Sequence, residues 1–260
     1  MMELSLAPGT GFEVVTAADL DRYLAAVASA GFGSVSLNEH QLAGDAAGAA
    51  KAIARHGLRC PDVMSLQITR REDETLQAAR RLAHAAAEVG ARHVLTLFYT
   101  RVNEESIDRF GRCGDLMVAE GARLALEMPP FSELDSIPAA LATVDAVGRD
   151  RAALMIDTFH FTRGSSTWEQ LEEFPLDALG YVQFDDALPA ESDDVMHETM
   201  DRRAMPGDGE FDLTRFAGTL RGRGWSGLVS VEVLSAELRA LEVEEFARRA
   251  YESTAPYWGL

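Results

Sequence analysis

The sequence predicts a single-domain α/β protein, a closed (β/α)8 or TIM barrel over residues 1–260. Three observations predict it. Eight short apolar runs of strand length recur along the chain. Amphipathic stretches long enough to form helices separate them. The 260 residues, 47% of them hydrophobic, suffice for one large core and match the usual length of such a barrel.

Taken in order, the first strand candidate is Leu4–Ala7. The stretch AADLDRYLAAVASAGF follows with helical spacing and stops at Gly31. Ser34–Leu37 is the second strand, and the helix after it stops at Gly57. Asp62–Leu66 leads into DETLQAARRLAHAAAEVGA, which stops at Gly90. Val94–Tyr99 leads into SIDRFGRCGDLMVAEGA, which stops at Gly121. Leu124–Glu127 precedes a helix ending at Gly148, and Ala153–Asp157 and Tyr181–Phe184 follow. Gly224 stops the helix before the eighth strand, Leu228–Val233. A glycine just past a helix supplies the left-handed residue that satisfies its last carbonyls. Strand then helix, eight times over, argues for a closed parallel barrel. An open doubly wound sheet would carry a GxGxxG turn after its first strand, and APGTG lacks that spacing. The longest stretch without periodicity, Asp185 to Phe211, reads as a loop on the C-terminal face, where barrel sites are built.

Composition narrows the function. The net charge is -18, from 24 basic and 42 acidic residues, which disfavours nucleic-acid binding. Cys60 and Cys113 form no disulfide framework. No run approaches the roughly 18 apolar residues of a membrane span, and the start has no basic leader. The expected setting is a bacterial-type cytoplasm, and a homo-oligomer is compatible with it.

Four strand ends carry polar groups: Glu127, Asp157, Gln183 and Glu232. Charges bury badly at such positions, so four of them on successive strands read as one cation site. Period two puts Ala125 and Glu127 on one face of RLALE, and Ser230 and Glu232 on one face of LVSVE. Three clustered carboxylates repel one another, and a divalent cation removes that penalty. Oxygen donors favour Mn²⁺ or Mg²⁺ over Zn²⁺.

Other residues read as candidates for substrate contact. His160 lies just past Asp157 and can reach substrate or a neighbouring carboxylate. His40 sits on the same rim after the second strand, and Asp186 lies in the long loop. Arg203 precedes the turn PGDG and can meet a substrate oxyanion or phosphate, or else pair with Asp185 or Asp186. His56 and His84 in helices and His93 at a strand start read as structural.

At LALEMPP, MIDTFHF, YVQFDDA, RRAMPGDGEFDL and VSVEVLSAEL the chain resembles the xylose-isomerase-like barrels, a superfamily of sugar phosphate isomerases and epimerases. The resemblance covers essentially the whole chain. It implies a metal held by Glu127, Asp157, Gln183 and Glu232. It also implies acid/base roles for Glu127 and Glu232, with His160 and Arg203 on the substrate. Gln183 stands where the keto-sugar epimerase and inosose isomerase branches carry His, and resembles the hydroxypyruvate isomerase and dehydroshikimate dehydratase branches. The endonuclease branch needs many His ligands and a basic surface, unlike this chain with six His.

The expected function is a divalent-metal-dependent isomerase or epimerase of a small sugar or keto-polyol. It would take the proton alpha to a carbonyl and return one through a stabilised enediolate. The alternative is a lyase or dehydratase that expels a β-leaving group from the same enolate. A non-catalytic sugar-binding barrel would predict a broken ligand set, and all four positions are filled.

Overall fold

A computed structural model describes residues 2–9, 11–42 and 44–260. The strands in chain order are β1 (Glu3–Leu6), β2 (Ser34–Val35), β3 (Leu37–Asn38), β4 (Asp62–Ile68), β5 (His93–Phe98) and β6 (Arg123–Leu126). They continue with β7 (Ala152–Asp157), β8 (Leu179–Phe184), β9 (Asp186–Ala187), β10 (Arg203–Ala204) and β11 (Leu228–Val231). Nine of them form one parallel sheet in the order β2-β1-β11-β8-β7-β6-β5-β4-β3. Its two ends, β2 and β3, are halves of one strand broken at Ser36, so the sheet closes into an eight-position barrel. The Ser36 amide donates to the Leu6 carbonyl at 2.9 Å, which carries the seam across the break.

The alternation read from the sequence sorts the core into two shells. Leu124, Leu126, Val229 and Val231 point outward and join the helices in the main core. Ala7, Met64, Leu95, Ala125, Met155, Tyr181 and Leu228 fill the barrel. Helices begin and end where local chemistry says they should. Thr16 caps the helix Ala17–Ala30 through a capping box with Asp19. Gly31 ends it at φ 110, where a Cβ would also sit 2.9 Å from the Tyr251 ring.

Two readings change. The second strand is not continuous. The stretch from Asp185 to Phe211 is also not structureless: it holds the antiparallel pair β9–β10 and a helix, Val195–Asp201. These elements are too short for a periodic apolar pattern to announce them. Both cysteines are free and buried. No helix among the described residues is long and apolar enough to cross a membrane.

The barrel interior is partly polar. The Ser36 hydroxyl donates to Asp62 Oδ1 at 2.6 Å and lies 3.0 Å from both Ser5 Oγ and Ser230 Oγ. Burial pushes the Asp62 carboxyl up to about 7; the Ser36 hydrogen bond opposes this and the negative Glu3 adds to it. A carboxyl raised in the folded state holds its proton while the unfolded chain loses it. The group therefore costs stability as pH rises from about 4 to 7, and nothing more above that. Urea unfolding of wild type and Asp62→Asn across this range tests it. The variant should gain on wild type by a few kcal/mol, on the order of three pKa units. A difference that does not change with pH would show Asp62 to be ionised throughout.

Candidate metal and acid/base site

The site is built where β6, β7, β8 and β11 end. Ladder register sets Asp157 beside Gln183 and Gln183 beside Ser230. Glu232 stands two residues beyond Ser230, on the same face. Glu127 follows the last residue of β6. All four are buried: Glu127 is 6% exposed, Asp157 1%, Gln183 0% and Glu232 8%.

Asp157 does two jobs. Its Oδ1 caps the helix Thr158–Arg163, accepting from the Phe159 and His160 amides at 2.6 and 3.1 Å. That cap turns the first helical turn over the site and brings His160 Nε2 to 2.7 Å from Glu127 Oε1. Ligand atoms of Glu127, Asp157 and His160 then lie within 4.8 Å of one another, a set that suits a metal ion. An imidazole nitrogen is thus beside the carboxylates, where the sequence offered oxygen atoms alone. His160 is fully buried; burial pulls its pKa down, but Asp157 and Glu127 outweigh that and raise it.

Arg203 is not a rim residue. It lies in β10, is 2% exposed, and stacks 4.8 Å from the centre of the Phe159 ring. Its Nη1 donates to Asp157 Oδ2 at 2.8 Å and Asp185 Oδ2 at 2.6 Å, and lies 3.4 Å from Glu232 Oε2. Nε donates to the Thr199 carbonyl at 3.0 Å. The ion pair with Asp185 is therefore present. Burial alone would lower the Arg203 pKa, and its three carboxylates raise it instead.

Asp186 is corrected. Its carboxylate accepts from the amides of Ala187, Gly207, Gly209 and Phe211, at 2.9 to 3.1 Å. Four backbone donors leave it a loop-organising role, with no contact to the carboxylate cluster. A Cβ at Gly209 would fall 2.3 Å from Asp186 Oδ1, so the loop closes tightly on it. His40 is exposed and lines a separate cavity of about 300 Å³ with Pro8, Phe12, Tyr23 and Asn38. It makes no hydrogen bond or ion pair with the cluster.

Asp185 and Thr158 belong to the site and were not selected from the sequence. The Thr158 hydroxyl donates to Asp185 Oδ1 at 2.5 Å and accepts from the Asp185 amide at 2.8 Å. Period two from Gln183 selects Asp185, not Asp186, for the inner face.

The electrostatics leave the cluster short of positive charge. Glu127, Asp157, Asp185 and Glu232 face one guanidinium and one imidazole. Asp157 is held low: burial would raise it, but Arg203 and His160 prevail. Asp185 is pushed up to about 7 by burial and by Asp157. Glu232 is raised well above a normal Glu by burial, against Arg203 and with repulsion from Glu127, Asp157 and Asp185. Gln183 is the clearest sign of a missing partner. It is fully buried, and neither its amide oxygen nor its nitrogen has a hydrogen bond. Such a group is costly in a folded core, and a cation taking the amide oxygen would relieve it. The residues therefore fit a divalent ion.

Residues 24–253 match the sequence model of the xylose isomerase-like TIM barrel family. An inosose isomerase of Halalkalibacterium halodurans is 32% identical over 136 residues, 52% of this chain and 47% of that protein. The Bacillus subtilis inosose isomerase is 28% identical over 155 residues, 59% of this chain and 55% of that one. The matched part thus spans about half the length of these relatives. Among solved structures, the IolI protein with a bound zinc atom superposes with TM-score 0.85 at 21% identity, covering 99% of this chain and 98% of that one.

Proposed function

The chain belongs to the xylose isomerase-like TIM barrel family, and from that premise we propose that it is a divalent-metal-dependent isomerase or epimerase of a small sugar or keto-polyol. The observation that carries the reading is the buried pair Glu127 and Glu232, set around Asp157 and an unpartnered Gln183. The likeness to inosose isomerases supports the substrate class.

Glu127, Asp157, Gln183 and Glu232 would hold the ion, with His160 at its edge. The bound ion would supply Lewis-acid charge next to the substrate oxygens. We assign Mn²⁺ or Mg²⁺, because His160 Nε2 is engaged by Glu127 and leaves oxygen donors for the metal. The residues divide the proton work. Glu127 and Glu232 differ in partner: Glu127 contacts an imidazole at 2.7 Å, and Glu232 faces a guanidinium at 3.4 Å. Two carboxyls in unlike surroundings suit one to take a proton alpha to the carbonyl and the other to return it. His160 keeps the Glu127 carboxylate oriented by donating from Nε2. Arg203 holds Asp157 and Asp185 in place and meets a substrate oxygen from the loop side. From the long loop, Arg203 packs against the polar centre.

Incubation with inosose and with simple ketoses, read by NMR, tests the proposal. Proton exchange with solvent deuterium at the carbon beside the carbonyl is expected, with an isomerised or epimerised product. An ultraviolet-absorbing conjugated product would assign the lyase chemistry instead. Chelation should remove activity, and Mn²⁺ or Mg²⁺ should restore it better than Zn²⁺. Full activity in protein shown by elemental analysis to be metal-free would overturn the ligand assignment.

A further inference from the structure

The N-terminal end of the barrel, opposite the site, carries charge that the chemistry above does not use. Gly90-Ala91-Arg92 and Gly121-Ala122-Arg123 repeat one tripeptide at the starts of β5 and β6. The ladder pairs His93 with Arg123, and the Arg123 amide donates to the Arg92 carbonyl at 3.0 Å. The two arginines thus start neighbouring strands. The arginines on either side are neutralised: Arg59 pairs with Glu3 at 3.0 Å and Arg151 with Asp115 at 2.5 Å. Among the described residues Arg92 and Arg123 have no carboxylate partner, in a chain with 42 acidic and 24 basic residues. Arg123 is pulled down in pKa by burial and then by the repulsion of Arg92. Its side chain donates only to His93 Nε2 and to the Arg149 carbonyl, both at 3.3 Å.

Both arginines line a cleft of about 560 Å³, together with His93, Asp150 and Trp225. Asp150 is its one acidic lining residue. His93 is 7% exposed, and burial, then Arg123 and Arg92, push its pKa down to about 3. It is therefore neutral. Since Nε2 accepts from Arg123, the ring proton sits on Nδ1, which has no partner. Trp225 Nε1 is likewise a buried donor with no partner. The cleft thus offers two guanidinium groups with a single carboxylate facing them, and the rings of His93 and Trp225 wall it with their free N–H groups buried.

We propose that this cleft binds a small molecule through a phosphate group, on the face opposite the metal and acid/base site. A phosphate dianion matches two unneutralised arginines and accepts from several N–H donors at once. The cleft volume leaves room for an organic portion beside the Trp225 ring.

Thermal unfolding with inorganic phosphate at about 20 mM, against sodium chloride of equal ionic strength, tests it. The expected shift in wild type is a rise of roughly 2–4 °C over the chloride control. Arg92 is exposed, so Arg92→Ala should unfold at the wild-type temperature in chloride yet lose most of the phosphate shift. The double variant Arg92→Ala, Arg123→Gln should lose all of it. No rise in wild type beyond the chloride control would overturn the proposal. An undiminished rise in the double variant would also overturn it, by placing phosphate elsewhere, with Arg203 the first suspect.

Discussion

Glu127→Gln and Glu232→Gln should each lower kcat by about 10²–10⁴-fold with the fold intact, the usual loss when a positioned acid or base is removed. Glutamine keeps the size and one oxygen of the side chain but cannot carry the proton. The neighbours are arranged to tolerate the swap structurally. His160 Nε2 can keep its 2.7 Å contact to an amide at position 127. At position 232 the loss of a repelled, buried carboxyl relieves Asp157 and Asp185. The Glu232 variant should therefore unfold no earlier than wild type. Circular dichroism and urea unfolding establish the fold, and kcat is then compared with metal added in excess. A folded Glu127→Gln protein that turns over at the wild-type rate would remove Glu127 from the proton transfer.

Arg203→Ala should cost about 3–5 kcal/mol of stability, the loss typical of breaking a buried charge pair from one side. Among the described residues its guanidinium is the one cationic side chain paired with Asp157, Asp185 and Glu232. Without it three buried carboxyls face one another and the Phe159 ring loses its stacking partner. Two conditions should recover part of the loss. Divalent metal replaces the missing positive charge. Acid protonates the orphaned carboxyls, so the deficit should shrink as pH falls from 8 to 5. The measurement is urea unfolding of both proteins across that range, with and without Mn²⁺. If the variant matches wild-type stability throughout, the buried ion cluster does not hold the fold. Any change in KM is interpretable only where the variant remains folded.

The barrel and most of its site were legible because strands obey period two. The faces assigned to Ala125, Glu127, Ser230 and Glu232 are those observed. What escaped lay in contacts between residues far apart in the chain. Arg203 meets Asp157 from 46 residues away, and no local pattern encodes that. The helix Val195–Asp201 buries Glu198 and Thr199 while Val195, Met196 and Met200 face out, so its polarity gave no core-facing stripe. Alternation from Gln183 points to Asp185, while the doublet itself gives Asp186 the same chemistry one residue on. Asp62 drew no notice at a strand start, because only closure of the barrel brings Ser36 and Ser230 around it.

The Asp185–Asp186 doublet sets a phase in the chain. One carboxylate joins the buried cluster through Arg203, and the next, facing the other way, gathers the amides of residues 207, 209 and 211. Length changes in the exposed segment 189–194 leave that phase untouched, although they must re-partner the Glu191 and Ser192 amides that donate to Glu198 and the Pro189 carbonyl that accepts from Arg202. Gain of a single residue between Gln183 and Asp185 turns Asp185 outward and leaves the buried cluster one acid short, whereas loss of one turns Asp186 inward and leaves the loop amides without theirs. Homologues should therefore vary in length on one side of Ala187 and never on the other.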